Sequence, residues 1–138
     1  MRWWIITLAA LGVLVAGMAW HEHLNTGTSP CSINERWDCG VVNHSPYAVI
    51  ARLPVAAIGV FGYALLLALA LGRAWRALLA FAVAGLIFSL YLAYIEAYKL
   101  EVWCLLCVFS LALISLITIS VFLQIILAWR VSERPPAR

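Results

Sequence analysis

The stretch Trp103-Cys104-Leu105-Leu106-Cys107 decides how this sequence is interpreted, because it puts a C-x-x-C pair at the head of a long apolar run. Residues 104–129 carry no charge, which is typical of a membrane-spanning helix. In the first turn of a helix two such thiols lie close enough to pair, and the positive end of the helix dipole stabilises a thiolate there. The stretch therefore predicts a redox-active pair at a membrane boundary.

The composition predicts that the whole chain is embedded in a membrane. Of its 138 residues, 66% are hydrophobic and 11% are charged, whereas soluble domains carry roughly 25% charged residues. We expect an all-α integral membrane protein, a four-helix bundle formed by a single domain covering 1–138. The net charge of +3 forms no basic stripe, so nucleic-acid binding is not indicated. The cysteines and histidines have no metal-ligand spacing, so no metal is expected.

Apolar runs predict four spans and one long extracytoplasmic loop between the first two. The spans are expected at 3–20, 53–71, 77–97 and 104–129, and the loop at 21–52. The first run also resembles a signal peptide, because Arg2 precedes it and small residues lie near its end. We favour an uncleaved helix, since cleavage would leave three spans and put the two ends of the chain on opposite sides.

The basic residues predict the orientation of these spans. One side of the membrane would carry Arg2, Arg73, Arg76, Arg130, Arg134 and Arg138, and the other would carry Arg36, Arg52 and Lys99. Because positive charge accumulates on the cytoplasmic side, both termini are expected in the cytoplasm. All four cysteines then lie on the outer face.

The remaining cysteines, Cys31 and Cys39, lie in the predicted loop. A disulfide between them would close a small loop and could be opened again as readily. Disulfides persist in oxidising compartments, which agrees with the outer face. Two alternatives stay open: a static disulfide that staples the loop, and Cys104 and Cys107 as small hydrophobes in a packed bundle. Two pairs on one face favour electron transfer between them.

Together these features resemble the vitamin K epoxide reductase family in its bacterial form. The chain has a polar loop with C-x7-C, Ser45 six residues after the second cysteine, and three further spans with C-x-x-C opening the last. The resemblance covers nearly the whole chain. It implies a four-helix bundle in the bacterial inner membrane that holds a quinone, ubiquinone or menaquinone, beside the C-x-x-C pair.

The resemblance also implies a role for each site residue. Cys104 and Cys107 are the active-site pair, with Cys107 next to the quinone. Cys31 and Cys39 are the shuttle pair, in which Cys31 exchanges with a thioredoxin-like periplasmic or extracytoplasmic dithiol partner and Cys39 then attacks Cys104. Ser45 matches a loop serine that hydrogen-bonds a quinone oxygen. The implied function is reoxidation of a partner that forms disulfides in exported proteins.

Two positions depart from the animal members of the family. Their asparagine early in the second helix is replaced here by Ile58 or a neighbour, and their tyrosine after the second active-site cysteine is Leu111. Both changes disfavour vitamin K epoxide as the substrate. Reduction of an epoxide or a quinone for its own sake is the second interpretation of the function, after disulfide exchange with a partner. A third is a non-catalytic membrane scaffold with a structural disulfide. The chain ends at Arg138 without a fused thioredoxin-like domain, so we expect a separate partner protein.

Three further residues have open or ordinary interpretations. Glu96 has two interpretations. It is a functional carboxylate near the outer rim, since ionisable groups in spans usually mark a site, or, as we expect, it lies at the membrane interface in contact with water or with Lys99 three residues on. Trp37 and Tyr47 either cap the quinone site from the loop or anchor the loop.

Overall fold

Four long apolar helices and one polar segment make up residues 1–133, the part of the chain that the computed structural model describes. Arg134 and Arg138, which enter the predicted orientation, lie outside the described residues. The helices are α1 (Arg2–Leu24), α2 (Cys39–Asn43), α3 (Val55–Leu71), α4 (Trp75–Ile95) and α5 (Leu105–Ser132). The π-helical turn Glu96–Leu100 continues α4, and the 3-10 turn Pro46–Ala48 precedes an antiparallel hairpin of β1 (Val49–Ile50) and β2 (Leu53–Pro54).

Three of the helices are long and apolar enough to cross a membrane: α1, α4 with its continuation to Leu100, and α5. The all-α membrane class is therefore confirmed. The helix α3 is also apolar but has only 17 residues, a length of about 26 Å at about 1.5 Å per residue. The fourth span and the complete bundle stay predictions.

The observed boundaries differ from the predicted ones by a few residues. The helix α1 continues to Leu24, and α3 begins only at Val55, because Leu53 and Pro54 pair with β1 in the hairpin. The segment between α1 and α3 is therefore 25–54, and it contains α2 and the hairpin. Cys104 has extended backbone angles, φ −100° and ψ 120°, and caps α5 from outside the helix.

The apolar core lies where α1 packs against α3 and α5, and α4 packs against α5 and α3. Its fully buried members include Ile5 of α1, Leu78 of α4 and Ile117 of α5. Large apolar side chains such as Phe61 and Phe122 are exposed on the outside of the helices. Lipid tails solvate such an apolar exterior, which water would not.

A close contact between α1 and α3 leads to a stability prediction. Gly12→Ala is expected to destabilise the protein, because the added Cβ would lie 2.6 Å from Cγ of the Tyr63 ring. The ring cannot easily move aside, since the Tyr63 hydroxyl donates to the carbonyl oxygen of Ser110 at 2.8 Å. Overpacking of this kind costs about 1–3 kcal/mol. The measurement is thermal unfolding in detergent.

The matched control is Gly17→Ala in the same helix, because nothing lies within 4 Å of a Cβ added there. Equal unfolding midpoints for the two variants would contradict the contact with Tyr63.

Candidate redox site

The loop cysteines Cys31 and Cys39 form a disulfide, with their Cα atoms 5.7 Å apart. Their predicted ability to pair is thus confirmed. Cys39 begins α2 and is fully buried, whereas Cys31 is half-buried. The hydroxyl of Ser29 donates to Sγ of Cys31 at 3.7 Å. Of the two sulfurs, Cys31 is therefore the one that a soluble molecule can approach.

A carboxylate holds the start of α2, and with it Cys39, in place. Oδ1 of Asp38 accepts hydrogen bonds from the Ser32 hydroxyl at 2.8 Å and from the backbone N–H of Val41 at 3.1 Å. The bond from Ser32, together with the backbone donors, lowers the pKa of Asp38 below its ordinary value. The pKa of Asp38 is lower in the folded than in the unfolded protein, so the ionised carboxylate adds to the free energy of unfolding at pH values above the ordinary pKa. This contribution is lost as the pH falls through the lowered pKa.

Asp38→Ala is expected to loosen α2, because loss of a helix N-cap costs about 1 kcal/mol. At neutral pH the amides of 39–43 should exchange with deuterium several times faster than in the wild type. At pH values below the lowered pKa of Asp38, these amides should exchange at the same rate in both proteins, since the wild-type carboxyl group is then protonated. Glu35→Ala, at an exposed position in the same loop, is the control. Equal exchange at neutral pH would show that the cap contributes nothing.

The loop is docked against the segment that precedes the C-x-x-C pair. The backbone N–H of Trp103 donates to the carbonyl oxygen of Arg36 at 2.7 Å, and the N–H of Asp38 donates to the carbonyl oxygen of Trp103 at 3.0 Å. The rings of Trp37 and Trp103 lie 6.4 Å apart between centroids. Trp37 therefore anchors the loop at this point, and the two cysteine-bearing segments are held together by the backbone.

The C-x-x-C pair lies at the N-terminus of α5, and both thiols are free. Cys104 caps the helix and is fully buried, whereas Cys107 lies in the first turn and is half-buried. The two thiols are within interacting distance of each other. The pair can thus close to a disulfide within one helical turn.

All four cysteines converge in one apolar cluster. Cys39 and Cys104 are buried members of this cluster, and Cys31 and Cys107 pack against it. Asn43 joins the two pairs: its Nδ2 donates to the carbonyl oxygen of Cys39 at 2.9 Å and lies 3.8 Å from Sγ of Cys104. Asn43 is not among the site residues predicted from the sequence. The available signal was its position four residues after Cys39, on the same face of a helix.

A cavity of about 320 Å³ lies between the four long helices, and Cys107 lines it; we call it the Cys107 cavity. Its walls are mostly apolar, and Ile58 and Leu111, the two positions set apart in the sequence, are among them. Small residues widen it along α3 and α4, at Gly59, Gly62, Ala84 and Gly85. The few polar side chains that line it include Asn43, Tyr63, Ser89, Glu96 and Ser110. This shape and composition suit a flat apolar ligand with few polar contacts.

Ser45 lies beside the Cys107 cavity and lines a smaller space of about 40 Å³ together with Tyr47 and Cys107. Its hydroxyl donates to the carbonyl oxygen of Val42 at 2.8 Å. The role of Ser45 toward a quinone stays a prediction.

The expectation that Glu96 contacts water is wrong, because the side chain is only 3% exposed. Its Oε2 accepts a hydrogen bond from the backbone N–H of Cys104 at 3.0 Å, and Glu96 lines the Cys107 cavity together with Cys107. The physical reason is the helical repeat: Glu96 continues α4 with regular helical angles and follows Leu92 by four residues and Ala93 by three, so it lies on the face of α4 that lines the Cys107 cavity.

Comparison with known protein families gives a match over most of the chain. Residues 3–123 match the family model described as the Vitamin K epoxide reductase family. The match includes all four cysteines and every long helix except the end of α5. No curated protein matches the chain by sequence.

Proposed function

The chain belongs to the vitamin K epoxide reductase family, and from this premise we propose that it is a quinone-coupled thiol–disulfide oxidoreductase. Family membership implies an oxidoreductase in a lipid bilayer. In the proposed reaction electrons pass from a thioredoxin-like dithiol partner to Cys31 and Cys39, then to Cys104 and Cys107, and finally to a membrane quinone. The partner, kept oxidised in this way, would form disulfides in exported proteins.

The observation that carries this proposal is the convergence of the four cysteines in one cluster. Thiol–disulfide exchange requires one sulfur to attack another directly. Cys39 and Cys104 are both fully buried in the same cluster, so water and other thiols have little access to this step. A disulfide that only stapled the loop would have no need to pack against a second pair of cysteines.

The Cys107 cavity supports a quinone as the electron acceptor. Its volume of about 320 Å³ is at the lower end of the roughly 300–1,000 Å³ of small-molecule sites. When bound, a quinone supplies an acceptor for two electrons and two protons. Cys107 would meet it, and Asn43 would line the site beside it. We keep Ser45 as a donor from the adjoining space, which requires its hydroxyl to turn away from the carbonyl oxygen of Val42. Apolar side chains around the cavity would exclude water from the thiols.

The partner would enter at Cys31, the half-buried sulfur of the loop disulfide. When the partner's thiolate attacks this sulfur, the bond to Cys39 breaks and Cys39 leaves as a thiolate beside Cys104. The partner's second thiolate then attacks the partner's own sulfur of the mixed disulfide, so the partner leaves oxidised and Cys31 leaves as a thiolate. The hydroxyl of Ser29 would stabilise this charge on Cys31, because it already donates to that sulfur.

We extend the proposal to the membrane topology. The helix α3 packs against α1 and α4, two of the three longer helices, which supports α3 as a fourth span. Four spans and the distribution of basic residues would put both termini in the bacterial cytoplasm and the cysteines on the outer face.

The proposal is tested with the purified protein under anaerobic conditions. A reduced thioredoxin-like dithiol protein and a soluble quinone are added, and the quinone absorbance is followed. We expect quinone to be consumed only when the protein and the dithiol are both present. If no quinone is consumed with any thioredoxin-like donor while the loop disulfide is intact, a membrane scaffold becomes the better interpretation.

Gly62→Leu is expected to block the acceptor site without unfolding the protein. Gly62 lines the Cys107 cavity, and nothing lies within 4 Å of a Cβ added there. A leucine side chain would therefore fill space that the ligand needs, and quinone reduction should fall by at least about tenfold, the effect of roughly 1.4 kcal/mol of lost binding. The measurement is the quinone concentration dependence of turnover.

Gly17→Leu is the control for this change, because it also adds a side chain in open space but lies outside the cavity lining. Unchanged turnover in Gly62→Leu would show that the acceptor binds elsewhere.

A further inference from the structure

We propose that Glu96 is the residue that accepts the proton of the Cys107 thiol and delivers it into the Cys107 cavity, an inference that rests on the proposed function. It would be a catalytic residue, because it lines the space where the acceptor would bind together with Cys107, whose sulfur reacts.

The position of Glu96 links every participant in the proton transfer. Its Oε2 accepts from the backbone N–H of Cys104 at 3.0 Å, which fixes the carboxyl group at the head of α5. Glu96 and Cys107 both line the main cavity and the smaller adjoining space. The carboxyl group of Glu96 is thus bonded to the backbone of Cys104 and lies beside Cys107 in the same two spaces.

Burial at 3% exposure is costly for a carboxylate, since removing a charge from water is unfavourable unless it is compensated. Ionisable groups inside membrane helices are rare for this reason and usually have a function. Glu96 is the only carboxylate among the described residues that line the Cys107 cavity. Among the described residues that line this cavity, no other carboxylate could receive a proton from the thiol.

The proposed transfer balances protons and electrons. Oxidation of Cys104 and Cys107 breaks two S–H bonds, forms one S–S bond and releases two electrons and two protons, which together convert a quinone into a hydroquinone. Glu96 takes the proton of Cys107 onto a carboxylate oxygen and passes it to an oxygen of the acceptor. The restored carboxylate then carries the proton of Cys104 in the same way, so Glu96 ends the cycle unchanged.

A merely structural role for Glu96 predicts a different result. As a cap, Glu96 needs only an oxygen that accepts from the N–H of Cys104, and the amide oxygen of glutamine supplies that. A negative charge that simply lies beside Cys107 would disfavour the thiolate, so its removal would make the sulfur more reactive. If Glu96 accepts the proton of Cys107, replacement of Glu96 by glutamine makes the Cys107 sulfur less reactive, and neither of the other two roles predicts this.

The test measures alkylation of Cys107 by N-ethylmaleimide at neutral pH without any quinone. The full chain carries Cys104→Ala and an intact Cys31–Cys39 disulfide, which leaves Cys107 as its only free thiol. We expect Glu96→Gln to slow alkylation several-fold, whereas Glu101→Gln, an exposed carboxylate five residues on, leaves the rate unchanged. An unchanged or faster rate in Glu96→Gln would overturn the proposal.

If Glu96→Gln does not fold, Glu96→Asp replaces it, because the shorter side chain withdraws the carboxylate from the sulfur. Slower alkylation supports the proposal, and an equal or faster rate overturns it.

A second measurement uses quinone and a chain with all four cysteines. In a single turnover of the reduced protein, Glu96→Gln should lower the rate of quinone reduction about 100-fold, a typical contribution of general acid–base catalysis. A rate equal to the wild type would overturn the proposal. If the wild type itself reduces no quinone, the proposed function fails, and the alkylation rates still decide the role of Glu96.

Discussion

Replacement of Cys107 by alanine is expected to abolish reduction of quinone by the dithiol form of the protein. Cys107 lines the Cys107 cavity, whereas Cys104 is fully buried at the helix cap. We therefore propose that Cys107 is the sulfur that meets the acceptor and that Cys104 is the sulfur that completes the disulfide. Removal of a residue that reacts covalently lowers rates by at least about 1,000-fold. The measurement is an anaerobic single turnover of the reduced protein, followed by the absorbance of the quinone.

The matched control is Phe109→Ala, two residues further along α5. Phe109 is 55% exposed and does not line the cavity, so quinone reduction should stay at the wild-type rate. A Cys107→Ala or Cys107→Ser variant that still reduces quinone would show that electrons leave from Cys104, and the assigned order of the two thiols would be wrong.

Replacement of Cys39 by alanine is expected to separate the two halves of the reaction. Quinone reduction driven by the protein partner should fall by at least about 1,000-fold, because the loop can no longer form the disulfide that accepts electrons. The chemically reduced protein should still transfer its electrons from Cys104 and Cys107 to quinone in a single turnover. Both assays use the same preparation, so a folding defect would lower both rates, and a broken relay lowers only the first.

Val41→Ala is the control for this variant, because Val41 is an exposed residue of the same short helix. If Cys39→Ala supports turnover with the protein partner, the loop disulfide is a staple and electrons enter directly at Cys104. That result would contradict the relay while leaving the quinone site intact.

Several features of this protein could be predicted from sequence because they depend on local composition and spacing. Long uncharged runs predict helices in a membrane, since every backbone polar group must be satisfied within the segment itself. The short separation of Cys31 and Cys39 predicts that they can pair, and the structure has this disulfide. The position of the C-x-x-C pair at the head of α5 follows from the start of the apolar run.

The surroundings of the cysteines could not be predicted in the same way. The burial of Glu96 depends on the packing of α4 against α5, which brings the backbone N–H of Cys104 to the Glu96 carboxyl group. The role of Asn43 depends on α2, a five-residue helix in a loop that has no apolar periodicity. The loop is docked by backbone hydrogen bonds of Trp103. Any residue except proline could make these bonds, so the amino-acid sequence does not indicate them.

The sequence by itself determined the class of the protein, its family and the four cysteines that we propose to transfer electrons. Hydrophobicity and cysteine spacing are properties of the chain alone. The tertiary structure decided that both cysteine pairs share one cluster, that Cys107 faces a cavity and that a buried carboxyl group lies beside it. These are relations between residues far apart in the chain. They arise only when helices pack closely enough to exclude water, since burial gives a carboxyl group or a thiol its chemical character.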